Sequence, residues 1–307
     1  MKRIPTLTLG LAAMTALALA GCTSASDVQD GAANASAIPS YDTSSITKQD
    51  DIAALLPDSV TADGVLTAGA STDYAPAEFR DPSGNPVGYD VDLTRAIAAV
   101  LGLDAKTEHA EFDSIIPAVG TKFDLGISSF TITPERLESV TMVSYINVGS
   151  QFNVAKGNPE GVDPSDTLNL CGLTIGVQTG TSQERAIKGY STACTAAGKP
   201  VIDVKPYSAQ SDATTALAGG ALDATFADST VAGYAQIQTE GKVETVGEVI
   251  DAAPQGVVVA KGDTATAEAV RQAIQYLMDE GYWDEILETW GIDTSQALKT
   301  SEIDPSV

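Results

Sequence analysis

Three short stretches hold residues suited to gripping a small charged molecule. In Thr131-Ile132-Thr133-Pro134-Glu135-Arg136, Thr133 suits an N-cap and Pro134 the first turn of a helix. A helix start offers free N–H groups and the positive end of the peptide dipole, and Arg136 adds a planar guanidinium fork. That combination suits a carboxylate. The plainer alternative is an ion pair between Arg136 and a neighbour such as Glu135. Thr181-Ser182-Gln183-Glu184 follows the capping-box pattern, so a second helix starts just after Gly180. Its first N–H groups can meet the same anion from the opposite side while the cap also stabilises the helix. Asp228 ends the apolar run Ala224 to Ala227, and acids at the C-terminal ends of strands in α/β sheets sit where ligands bind. Asp223, at the start of that run, reads as a solvated or capping acid. The single histidine, His109, lies in a polar stretch and reads as a surface residue, which leaves no base for a Ser-His-Asp site.

The elements around these residues alternate between short apolar strands and amphipathic helices, the pattern of an α/β architecture. Val65 to Ala68, Phe123 to Ile127, Leu173 to Val177, Val201 to Val204 and Ala224 to Ala227 read as strands. Leu93, Ile97, Val100 and Leu101 recur at helical spacing, with Gly102 placed as a C′ residue. Ser182 to Lys188, Ala213 to Leu217 and the face formed by Val270, Ile274, Leu277 and Met278 are further helices, the last ending at Gly281. Order begins near Asp51, with a short helix around Ile52, Leu55 and Leu56 that Pro57 stops.

Ahead of all this, Lys2 and Arg3 precede an uncharged run from Ile4 to Ala20, the length of a signal-peptide core. The run closes on Leu19-Ala20-Gly21-Cys22, which resembles the lipobox of bacterial lipoproteins. The resemblance implies a signal peptide over 1–21 and a lipid, diacylglycerol with a palmitate-type chain, on Cys22. Thr23 to Ser45 is small and polar, so residues 22–48 are expected to form a disordered tether. Export leaves Cys171 and Cys194 in an oxidising compartment as a disulfide pair; a metal site is the weaker reading, since His109 has no partners at tetrahedral spacing. With 41 acidic and 17 basic residues the net charge is −24, which repels nucleic acid and anionic headgroups, so neither is a partner. The lipid alone would hold the protein on the extracytoplasmic face of the cell membrane.

Several stretches, in order, resemble one family. They are Gly64 to Phe79 with Tyr74, Pro76 and Glu78; Gly88-Tyr89-Asp90-Val91-Asp92-Leu93; Phe112 to Ala118; Phe123 to Arg136; Gly176 to Glu184; and Leu222-Asp223-Ala224 with Asp228. The family is the extracellular solute-binding proteins of polar amino-acid ABC transporters, which includes glutamine- and lysine/arginine/ornithine-binding proteins. The resemblance implies a two-lobe α/β fold of the periplasmic-binding-protein type II kind, with a ligand cleft between lobes joined by two crossing strands. Gln151 to Val154 and Gln255 to Val259 suit the crossings. Lobe one then comprises 49–151 and 255–307, and lobe two 152–254.

By the same resemblance Arg136 holds the ligand's α-carboxylate and Asp228 its α-ammonium, with help from the Ser129 carbonyl and the Thr131 hydroxyl. Tyr74 and Phe112 would sandwich the ligand side chain, although Phe112 reads equally as a core residue. Ser71, Gln178, Thr181 and Ser182 complete the expected binding set. Ser71 stands where several members that bind amides or cations carry aspartate, and Gln178 and Ala227 also depart from particular relatives. These departures point to a neutral or polar amino acid, with Glu78 and the net charge keeping a cationic one open. The expected activity is capture by cleft closure and delivery to a membrane permease, by a monomer without cofactor or metal. A ligand sensor without transport and a cyclohexadienyl-dehydratase-like enzyme, with Glu78 as its proton donor, are the alternatives.

Overall fold

A computed structural model describes residues 38–307. The expected signal peptide, Cys22 and most of the expected tether lie outside the described residues. The tether's expected end at residue 48 needs correction. Tyr41 donates its backbone N–H to Asp92 at 2.9 Å, Asp42 caps a single 3-10 turn over Thr43–Ser45, and Ile46 is buried. Tyr41 and Ile46 are the large side chains in a stretch of small polar ones, and burying Ile46 wholly and Tyr41 in part offsets the cost of ordering it.

Lobe one opens with two short helices, α1 (Asp50–Ala53) and α2 (Asp58–Thr61), and the strand β1 (Val65–Ala70). A small three-stranded sheet follows, β2 (Asp73–Tyr74), β3 (Glu78–Arg80) and β4 (Pro86–Val87). Then come α3 (Tyr89–Leu101), β5 (Asp104–His109), α4 (Phe112–Ala118), β6 (Leu125–Gly126) and α5 (Pro134–Ser139). Gly102 ends α3 at φ 71°, a left-handed position where glycine has no Cβ to clash. The expected strand Phe123 to Ile127 is only two residues long, because Phe123 turns inward onto Gly69 and into the core.

Two long strands run through both halves of the molecule, β7 (Val140–Ala155) and, later, β11 (Val243–Ala260). Between them lie β8 (Thr174–Gln178), α6 (Ser182–Ala196), β9 (Asp203–Tyr207), α7 (Gln210–Ala218), β10 (Ala224–Asp228) and α8 (Ser229–Gln238). The chain then returns to lobe one for α9 (Thr264–Asp279) and α10 (Tyr282–Thr289). The eight-stranded sheet has the order β5-β1-β6-β11-β7-β10-β8-β9. Pairing is parallel at both ends, β1 with β5 and β6 in one lobe and β8 with β9 and β10 in the other. It is antiparallel through the middle, where Val258 of β11 meets Gly126 of lobe one and Phe226 of β10 meets Phe152 of β7. The β7–β11 register slips between Val246 and Ile250 and again before Ala253, as the ribbon passes from one lobe to the other.

Each lobe has its own core. Ile115, Phe123, Phe130, Ile132 and Met142 fill one, and Phe152, Ile175, Val177, Ile187 and Phe226 the other. Cys171 and Cys194 are joined, Cα to Cα 5.6 Å, tying the turn before β8 to the buried face of α6.

Candidate functional site

The helix start expected at Thr133 is built as its sequence dictates. Thr133 Oγ1 accepts the N–H of Arg136 and Pro134 occupies the first turn, which aims the arginine side chain back along the preceding loop. Arg136 is buried. Nη1 donates to the Thr131 carbonyl at 2.6 Å, and Nη2 crosses the cleft to the Gly180 carbonyl at 3.2 Å. Its guanidinium carbon lies 5.4 Å from the ring centres of both Phe112 and Phe130, which stack on each other. Phe112 is thus packed in the lobe-one core, as its core reading expects, with its ring also facing the Arg136 guanidinium. Arg136 does not pair with Glu135, which meets Arg185 instead, and it makes no ion pair among the described residues. Burial, with Arg185 nearby, pulls its pKa down to about 10 against the opposing pull of Asp228.

From lobe two, Thr181 caps α6 by accepting the Glu184 N–H, and Glu184 reaches back to the Gly180 N–H at 2.8 Å. Gly180 sits at φ 80°, and a Cβ there would lie 2.9 Å from Asp113, so only glycine lets the lobes approach this closely. Ser182 meets Thr131 across the cleft, hydroxyl to hydroxyl, at 3.2 Å.

Asp228 is buried at the end of β10. Its two oxygens accept from Gln183 and Gln255, each at 2.8 Å, and its backbone N–H donates to the Tyr74 hydroxyl of lobe one at 3.1 Å. No cation pairs with it among the described residues, and burial pushes its pKa up to about 7 against those donors and the pull of Arg136. A run of contacts thus joins Phe112, Arg136, Thr131, Ser182, Gln183, Asp228 and Tyr74, drawn from both lobes. A cavity of about 200 Å³ opens beside it, walled by Thr131, Thr133, Ser150, Ser182 and Gln183.

Ser129 lies next to Thr131 with φ 48°, a strained position for a residue with a Cβ. Asp90, at the start of α3, holds it there by accepting both its N–H (2.7 Å) and its hydroxyl (3.1 Å). The Tyr145 hydroxyl binds the other Asp90 oxygen.

The remaining expected residues, Ser71 and Gln178, meet at a second pole. Gln178 Nε2 donates to Ser71 Oγ at 3.1 Å and lies 3.4 Å from Asp73 Oδ1. Burial lifts Asp73 to about 6, with Glu111 and Asp212 adding to the rise. Beside them Glu78 is wholly buried. One of its oxygens accepts from Ser128, and the other, Oε2, has no donor. Burial, then Asp90 and the charges of Asp73 and Asp228, raise its pKa well above the usual range. Gln210 Oε1 and Gln255 Oε1 are also buried without donors.

Sequence reasoning missed Asp73, Gln183, Gln210 and Gln255 and treated Asp90 only as part of a motif. Gln183 sits inside the capping box and could have been read from its place at a helix start; the other glutamines carry no local signal. His109 is exposed, as expected of a surface residue, and its Nδ1 lies 3.0 Å from the Thr72 hydroxyl because β5 pairs it beside Ala70 at the end of β1. Asp223 holds the start of β8 by accepting the Thr174 N–H.

Comparison with known proteins places this geometry. Residues 66–293 match the family model of bacterial extracellular solute-binding proteins, family 3. The arginine-binding protein ArgT of Corynebacterium glutamicum is 37% identical over 246 residues, covering 79% of each chain. The L-arginine-binding protein of Pseudomonas aeruginosa is 32% identical over 235 residues, covering 73% of this chain and 87% of that one. Among solved structures, an ancestral arginine-binding protein bound to arginine superposes with a TM-score of 0.68 at 32% identity, covering 74% of this chain and 98% of that one.

Proposed function

Since the chain belongs to the bacterial extracellular solute-binding proteins of family 3, we propose that it is the lipid-anchored binding component of an ABC importer and that its ligand is a free amino acid with a cationic side chain, L-arginine first. The observation that carries this reading is a buried guanidinium and a buried carboxylate, Arg136 and Asp228, each without an ionic partner among the described residues. Isolated buried charges are costly. An α-carboxylate on Arg136 and an α-ammonium on Asp228 would satisfy both, and Gln255 Oε1 supplies one more acceptor for the ammonium.

Beyond Tyr74 the second pole offers acceptors and acids and no cation. Glu78 Oε2, buried without a donor, suits the N–H donors of a guanidinium. This outweighs the neutral or polar side chain expected from Ser71, Gln178 and Ala227, and the named ligand of the relatives supports the same choice. The α-groups and the side chain touch both lobes only when the cleft is shut, so binding biases the protein toward closure, in the form a permease would dock.

The lipobox-like Leu19-Ala20-Gly21-Cys22 supports attachment by lipid on the extracytoplasmic face, and no helix among the described residues is long and apolar enough to cross a membrane. Homologues are solute-binding proteins rather than enzymes.

Isothermal titration of the protein with the standard amino acids, citrulline and ornithine tests the proposal. A micromolar Kd for L-arginine, about −8 kcal/mol, with glutamine and glutamate at least tenfold weaker, is the expected result. Heat from glutamine alone would return the ligand to the polar neutral class, and heat from none would overturn the amino-acid reading.

A further inference from the structure

Helix α7 of lobe two begins without a cap of its own. Its N-cap position is Ala209, in extended backbone (φ −110°, ψ 133°), whose side chain has nothing with which to accept a hydrogen bond. The first N–H of the helix, that of Gln210, is bound at 3.0 Å by Oδ1 of Asp73. Asp73 belongs to β2 of lobe one, so the cap is supplied from across the cleft. The contact is reinforced around the same carboxylate. Ser71 donates to its other oxygen at 3.2 Å, and Gln178 of lobe two approaches Oδ1 while also donating to Ser71 Oγ and to the Ser208 carbonyl, each at 3.1 Å. Asp73 has no ion-pair partner among the described residues. Parting the lobes removes the acceptor from α7, and Ala209 has no side-chain acceptor to replace it.

We infer that Asp73 is a positioning residue that latches the lobes by capping α7 in trans, strengthening ligand capture by favouring the closed state rather than by touching the ligand. The inference rests on the reading of a cleft that closes on an amino acid, but it concerns the lobes and so can be tested separately. Ala in place of a capping acid weakens a helix start enough to shift an equilibrium by roughly three- to tenfold. That is the change expected here in the closed fraction and, through it, in affinity.

The test uses Asp73→Ala, Asp73→Asn and Gln210→Pro. Proline removes the donor while suiting the first helical position, and Ala209 already has the extended backbone that precedes proline. Titration with L-arginine and with neutral L-citrulline is combined with fluorescence transfer between dyes on the two lobes in ligand-free protein. D73A should weaken both ligands by the same factor and lower the closed fraction without ligand. D73N keeps an acceptor oxygen and should restore most of both. Q210P should match D73A, and the double variant should be no worse than either alone.

The latch is overturned if D73A leaves the ligand-free distance distribution unchanged. It is overturned equally if D73N loses arginine as fully as D73A while citrulline is unaffected, since that pattern marks direct contact with the ligand's charge. Should the unmodified protein bind neither amino acid, the ligand assignment fails, and the ligand-free distances still decide the latch.

Discussion

The two poles of the cleft are built on opposite principles. At one, a single guanidinium and a single carboxylate face the cleft, Arg136 from a helix start in lobe one and Asp228 from a strand end in lobe two. Each is held by neutral donors or acceptors rather than by the other's charge. At the other, Asp73 and Glu78 are acids with no basic partner among the described residues, surrounded by hydroxyl and amide groups. The first pole is balanced and complements what every free amino acid carries. The second is unbalanced, so its preference has to come from the side chain that enters it. On the proposed function, the class of ligand and its identity would then be set by different residues, which substitutions should separate.

The largest effect is expected at the balanced pole. Arg136→Lys retains the positive charge but loses the fork that reaches both the Thr131 and Gly180 carbonyls. Affinity should fall by about a hundredfold or more for every amino acid that binds, cationic or neutral, because a buried bidentate contact is lost. Titration of the variant against L-arginine and L-citrulline checks this. A loss confined to arginine would merge the two poles into one.

Glu78→Gln should do the reverse with a smaller amplitude. Glutamine nearly preserves the shape and can still accept from Ser128, so the fold should survive, as an unchanged far-ultraviolet spectrum would verify. Burial and the nearby acids favour the protonated form of Glu78 in the empty cleft, and a bound guanidinium would draw out its ionised form. Losing that ionised partner costs about tenfold in arginine affinity, the lower end for a hydrogen bond to a charged group. Citrulline should be unaffected or improved. An equal loss for both would make Glu78 a scaffold for Ser128 and remove the reason for assigning a cationic ligand.

The same division explains what could be read in the sequence. Arg136, Thr181 and Ser182 lie inside local patterns, an N-cap followed by proline and a capping box, whose geometry follows from a few consecutive residues. Asp228 could be found because a strand end in an α/β sheet is a known place for a ligand group. The matched family and the two-lobe fold were legible for the same reason, as an ordered set of such patterns. Asp73, Gln210 and Gln255 were not. They come from a two-residue strand, an uncapped helix start and a long ribbon, and only the tertiary fold brings them to the cleft. Glu78 was visible as a motif residue, but the Ser128 hydroxyl that holds it and the Asp90 carboxylate that raises its pKa come from other elements of the fold. Tyr41 and Ile46 were hidden by the small polar residues around them, whose composition outweighed two apolar side chains in a reading by segment.

The smallest effect expected is on stability as a function of pH, and it bears on both poles at once. Burial raises Asp228 to about 7 and Asp73 to about 6, above the ordinary aspartate value of 3.8. Between the unfolded and folded pKa values the native protein holds protons that the unfolded chain has released. Stability therefore falls as pH rises through this window, and it is greatest on the acidic side. From pH 5 to pH 7 the ligand-free protein should lose melting temperature by several degrees, since each raised group contributes up to about 1.4 kcal/mol per pH unit, and less where it is partly solvated as Asp73 is. Above pH 7 the curve from these groups should flatten. Asp228→Asn removes the larger contribution and should make the pH 5 to 7 slope shallower, while Asp73→Asn should remove a smaller part confined below about pH 6. Saturating L-arginine should flatten the slope further, because its ammonium favours the ionised form of Asp228 and its guanidinium that of Glu78, which burial and the nearby acids raise. A neutral ligand that binds equally well would act only at Asp228 and leave the contribution of Glu78 in place. Scanning calorimetry across that range, with and without each ligand, would therefore resolve the two poles by pH. If arginine and citrulline flatten the curve identically, the second pole carries no charge preference and the contrast between the two ends of the cleft fails.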